Sequence, residues 1–80
     1  ILHRQKLYNE ALESYERVVN IKSDWYGAWY NLGNILHKLG RHEDSINCYD
    51  YALKVAPNFY GAWYNRGNAL DALGRYDEAV

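Results

Sequence analysis

The chain has 80 residues, 49% apolar and 16% aromatic, with nine Tyr and three Trp, a content that excludes disorder and suits one small domain. The formal net charge of −1 gives no overall field to gather nucleic acid or an anionic membrane surface, and no apolar run approaches the ~20 residues of a membrane span. Cys48 is the single cysteine, which rules out a disulfide framework or a cysteine metal knuckle and favours a reducing, cytoplasmic setting.

In chain order, residues 1–4 are predicted to finish one helix and residues 7–21 to form a second, with Asn9 and Glu10 in its first turn. Asp24 is a good N-cap for a third helix over 26–39, which Gly40 ends, since glycine takes positive φ without penalty. The fourth covers 42–55. Glu43 and Asp44 in its first turn suit the positive helix end, and Pro57 stops it. Asn58 caps a fifth over 60–73, ended by Gly74, and another begins at 76 with Asp77 and Glu78 in its first turn. No segment alternates with period two, so no strand is expected. The short turns make successive helices antiparallel neighbours.

The elements are copies. Gly27-Ala28-Trp29-Tyr30-Asn31-Leu32-Gly33-Asn34 returns 34 residues later as Gly61-Ala62-Trp63-Tyr64-Asn65-Arg66-Gly67-Asn68. The register extends forward through Leu36/Leu70, Leu39/Leu73 and Gly40/Gly74, and backward through Tyr15/Tyr49, Ile21/Val55 and Trp25/Phe59. A period of this size marks a stacked array of helix pairs, an all-α solenoid. The segments are a partial unit over 1–25, a full unit over 26–59 and a partial unit over 60–80, a stretch expected to belong to a longer array. Such units bury their faces on neighbours. The ends are therefore expected to leave apolar residues open, Ile1, Leu2, Leu7 and Leu12 at one and Leu70, Leu73 and Val80 at the other, with marginal stability or self-association as the consequence.

Two faces of the first helix of each pair carry different chemistry. Trp29, Gly33 and Leu36, like Trp63, Gly67 and Leu70, share an i, i+4, i+7 stripe. The second helix answers with small Ser45 and Ala52 and with Tyr49 as the large filler; Ala11, Val18 and Tyr15 are their counterparts in the first unit. The other face carries Tyr30, Asn34, His37 and Lys38, then Tyr64, Asn68, Asp71 and Ala72, and, from the first unit, His3 and Arg4. These are too polar for a core and too aromatic for a plain solvated face. Tyr30 and Tyr64 fit either groove contact or packing between units. Asn34 and Asn68 fit either ligand binding or bracing. His3, Arg4, His37 and Lys38 against Asp71 read either as a polarised groove or as scattered surface charge.

Other chemistry finds little support. Two aligned histidines, His3 and His37, lack a third metal ligand. First-turn placement explains the acidic pairs without acid–base catalysis, and Cys48 has no histidine or asparagine brought to it, so it reads as a half-buried packing residue. The glycines are single and set by the repeat rather than grouped in a phosphate loop. The basic residues form no stripe interleaved with aromatics of the kind a nucleic-acid site needs. No cofactor is expected, and no enzyme activity within this stretch.

Taken in order, Trp29, Leu32, Gly33, Ser45, Tyr49, Ala52 and Pro57, then Trp63, Gly67 and Ala79, with Ala11 and Tyr15 before them, resemble the tetratricopeptide repeat signature. Leu36 and Leu70 stand where that family often has Tyr, Arg66 where it has Leu, Ser23 where it has Pro and Val18 where it has Ala. The resemblance implies a right-handed superhelix and a non-enzymatic protein–protein interaction scaffold that holds a peptide or partner helix in its concave groove. Carried over to that groove are Tyr30, Asn34, His37, Lys38, Tyr64, Asn68 and Asp71, with Asn34 and Asn68 as ligands for peptide backbone. Tyr30 and Tyr64 stand where a chaperone-tail carboxylate clamp would want Lys, which argues against that mode. The alternatives are the substrate-recruiting arm of a larger enzyme, such as a protein glycosyltransferase, or a self-assembly module.

Overall fold

Glycine and proline divide the chain. A computed structural model describes the backbone of residues 2–74 and the side chains from Arg4 to Gly74, and holds four helices: α1 (Leu2–Ile21), α2 (Tyr26–Lys38), α3 (His42–Val55) and α4 (Tyr60–Ala72). Each packs on the next, and α2 also touches α4 across α3, the expected helix-pair solenoid. Among the described residues no helix is long and apolar enough to cross a membrane. The further helix at 76, Asp77, Glu78, Ala79 and Val80, and the side chains of Ile1, Leu2 and His3, lie outside the described residues.

The turn after α2 follows directly from Gly40. Its φ is +81°, and the Gly40 and Arg41 N–H groups bond the carbonyls of His37 and Leu36 at 3.0 and 2.8 Å, the paired closure of a Schellman end. Gly74, at φ +74°, bonds Asp71 O in the same way. At the matching place in the first unit stands Lys6, and the expected break between residues 4 and 7 does not form. Without a residue at ease at positive φ the backbone stays helical, so α1 is one helix over 20 residues. Asn9 and Glu10 therefore lie inside it rather than in a first turn.

The expected N-caps also shift. Trp25 and Phe59, not Asp24 and Asn58, precede the first turns of α2 and α4, and neither makes a side-chain cap. The cause is the preceding turn, closed by Trp25 N–H to Lys22 O and Phe59 N–H to Ala56 O. It places Asp24 and Asn58 at its third position, one residue too early to cap. The octet tryptophans fasten this turn instead: Trp29 Nε1 donates to Ser23 O at 2.7 Å and Trp63 Nε1 to Pro57 O at 2.9 Å.

The core has two parts. Val19, Ala28, Leu32, Leu36 and Cys48 join α1, α2 and α3, with Leu12, Tyr15 and Val18 against them. Ile46, Tyr49, Ala52, Leu53, Ala62, Ala69 and Leu70 join α3 to α4. Leu70, expected at an open end, is 1% exposed because α3 covers it, and Leu12 is partly buried, whereas Leu7 and Leu73 are exposed as expected. Arg66, where Leu32 sits in the preceding unit, reaches Asp50 on α3 at 2.7 Å. The exchange replaces a core side chain by an ion pair at the surface, of a kind worth at most about 1 kcal/mol.

Candidate functional site

Helical spacing sets Asn34, His37 and Lys38 on one face of α2, and the α3 crossing brings them opposite α4. Together with Tyr49, Asn65 and Asn68 they line a cleft of about 380 Å³. Four of the seven predicted site residues thus meet: Asn34, His37, Lys38 and Asn68. Tyr30 stands behind the cleft wall as a packing residue, 4.7 Å from the Phe59 ring and 6.0 Å from that of Tyr49 between ring centroids. Tyr64 and Asp71 are exposed and do not line it.

The cleft floor is a hydrogen-bond relay. Tyr49 Oη donates to Asn34 Oδ1 at 2.6 Å, and Asn65 Nδ2 donates to Asn34 Oδ1 and to Tyr30 Oη, both at 2.9 Å. Burial and the neighbouring Tyr30 push the Tyr49 hydroxyl above its ordinary pKa, so it stays protonated as donor. Two donors fill the Asn34 oxygen and fix the orientation of the amide. Asn34 is therefore a brace between α2, α3 and α4, and its Nδ2 group keeps unspent donors. Lys38 and Asn68 have no side-chain partner among the described residues. The cleft is rich in free donors and suits a ligand rich in acceptors.

Asn65 was not among the expected site residues, although its copy of the octet is complete. Identity with Asn31 hides its role, for Asn31 is exposed while Asn65 faces the preceding unit. Only the stacking of α4 against α2 separates the two.

His37 turns partly away from ligand duty. Its Nδ1 lies 2.8 Å from Nδ1 of His42, so one ring carries the proton and the other accepts it. Desolvation, then His42 and Lys38, hold the His37 pKa below the usual 6.5. A depressed folded value means that the unfolded chain takes up the proton first, so this contribution to stability is present above about pH 6.5 and fades as pH falls below it. The melting temperature should therefore drop on acidification from pH 7.5 to 5.5, and His37→Gln should flatten the drop. An equal slope in the variant would remove the histidine pair as its source.

Lys38 also lines a second cleft with Arg4, Gln5, Tyr8 and Leu39, about 520 Å³ in volume, which gathers the two cations of the predicted basic end. Cys48 is buried, and burial with nearby Asp44 and Glu16 pushes its thiol up to about 12. A thiolate is thereby disfavoured and the packing role fits. Among the described residues no three His, Cys, Asp or Glu side chains gather as metal ligands.

Three family models match. One described as tetratricopeptide repeat covers residues 26–59, one described as TPR repeat covers 1–40, and a further tetratricopeptide repeat model covers 48–80. The fold is similar to a crystal structure of MamA protein, with a TM-score of 0.87 and 26% identity over 90% of this chain and 39% of that one. A MamA AMB-1 structure gives 0.88 and 26% over 96% of this chain and 45% of its own. The chain thus spans less than half the length of these MamA chains. No curated protein sequence matches it.

Proposed function

Because the chain belongs to the tetratricopeptide repeat family, we propose that it is a non-enzymatic protein-interaction scaffold, placed in the cytoplasm, which holds an extended peptide in the cleft between α2 and α4. One observation supports this above the others: Asn34 is locked by Tyr49 and Asn65 with its amide donors unspent, beside Lys38 and Asn68. Preorganised donors cost little ordering on binding. An extended peptide offers a row of carbonyls to the amides, and an acidic side chain would pair with Lys38. Tyr64 and Asp71, outside the cleft, can touch a ligand only where it runs on along α4. The partner is a protein segment rather than nucleic acid or membrane.

A peptide library screened against the full chain should return sequences with acidic residues. Their affinity should rise as salt is lowered, because Lys38 is exposed to screening. Lys38→Ala and Asn68→Ala touch no internal bond among the described residues, so each should weaken binding, together by about tenfold or more, the scale of two hydrogen bonds with one charged. Capture of the same peptides at equal affinity by the double variant would exclude the cleft.

A further inference from the structure

His37 lines the cleft with only one of its ring nitrogens spent. Its Nδ1 lies 2.8 Å from Nδ1 of His42, and the ring centroids are 4.7 Å apart. Its Nε2 has no hydrogen-bond partner among the described residues. In the neutral pair one ring donates its Nδ1–H and the other accepts, so the donating ring has a bare Nε2. A first proton adds there and keeps the bond, which becomes charge-assisted. A second proton would place N–H groups on both facing nitrogens and break it. The pair can therefore hold a single positive charge without losing its bond, and His37 brings that charge to the cleft beside Lys38.

Within the chain itself little favours that charge. Desolvation first, then His42 and Lys38, oppose it. From α1, Arg4 and Tyr8 share the second cleft with Lys38 and add no negative charge. The start of α3 brings Arg41 and Asp44, paired with each other at 2.9 Å, and Glu43, which has an interaction of its own. Tyr49 stays protonated. α4 presents neutral Asn65 and Asn68, while its Asp71 is exposed and outside the lining. Among the described residues no carboxylate lines the cleft, so a ligand's carboxylate supplies the counter-charge that the pair lacks. We infer that peptide binding in the cleft is coupled to proton uptake by the His37–His42 pair, so that an acidic peptide is held more tightly as pH falls from 7.5 to 5.5. The inference rests on the cleft reading and adds its regulation. A counter-charge raises the pair's pKa in the complex above that of the free chain. Affinity therefore climbs while pH passes between the two values and levels off once the free pair is protonated as well. A rise of about one unit corresponds to about tenfold in affinity. Lys38 and the peptide's carboxylates stay largely charged throughout this window. The fold itself loses stability over the same window, so unfolding cannot imitate a gain in affinity.

Calorimetry of the full chain with the tightest acidic peptide from the library screen tests it. Runs near pH 6 in buffers of different ionisation enthalpy count the protons taken up. The control is the same peptide with Gln and Asn in place of Glu and Asp. The acidic peptide should bind with uptake of up to about one proton and gain about tenfold in affinity from pH 7.5 to 5.5. The control should show neither. His37→Gln, checked by circular dichroism for helix content, should remove the uptake although His3 and His42 remain. Nitrogen NMR of the parent chain needs no variant: the ring nitrogens of His37 and His42 should shift together as peptide is added near pH 6, and those of His3 should not. Binding without proton uptake overturns the inference and leaves the cleft reading standing. So does uptake that persists undiminished in His37→Gln, or a ring response confined to His3. Absence of binding by any acidic peptide across the whole pH range overturns both.

Discussion

Gly33→Leu should lower the stability of the fold by about 1–3 kcal/mol or more, read as a fall in the urea midpoint with little change in slope. The residue is buried on α2, and a Cβ added there would lie 2.7 Å from Cε1 and 3.0 Å from Cδ1 of Tyr49. The ring has little room to yield. Tyr49 is fully buried, its hydroxyl is tied to Asn34, and Tyr30 packs beside it. Even Gly33→Ala should destabilise, although a helix interior normally gains from that exchange by up to about 1 kcal/mol. An unchanged midpoint for Gly33→Leu would mean that α2 and α3 can separate without loss, and the interlocked crossing would be wrong.

The Gly33 contact was legible in the sequence because period and size were both visible: a glycine on the Trp29–Leu36 stripe, small residues at 45 and 52, one large Tyr between them. Helix ends were legible for the same reason wherever glycine or proline wrote them, and α2, α3 and α4 end within one residue of the expected places. The failures occur where the repeat is imperfect or where a role depends on the neighbour. Lys6 in a glycine position let α1 run on. Asp24 and Asn58 have cap chemistry, but a turn closed one residue later displaced them, which sequence chemistry alone does not show. Leu70 looked open because the periodic alignment sets it in the last unit of the stretch, while one side of it meets α3. That the Asn34 oxygen is occupied was not legible either, because the two donors that fill it come from residues 15 and 31 positions away.

Tyr49 joins the packing and the cleft, and substituting it separates the two. Tyr49→Ala should cost about 3–5 kcal/mol, the range for removing a buried aromatic ring. That is a large share of what a small domain has, so the urea transition should approach zero denaturant. Tyr49→Phe keeps the ring and removes only the hydroxyl. It should cost about 0.5–1.5 kcal/mol, the net value of one hydrogen bond, and it leaves Asn34 Oδ1 with Asn65 as sole donor. Because the Asn34 amide is then held from one side, peptide affinity should fall in Tyr49→Phe at temperatures where the variant is fully folded. The ring contact can be isolated in a double-mutant cycle with Gly33→Ala. In the Tyr49→Ala background the added methyl meets no ring, so its cost should vanish or turn into the ordinary helix gain. Additivity within about 0.3–0.5 kcal/mol would show that the two sites do not touch energetically, and with it the 2.7 Å approach would lose its role as the lock between α2 and α3.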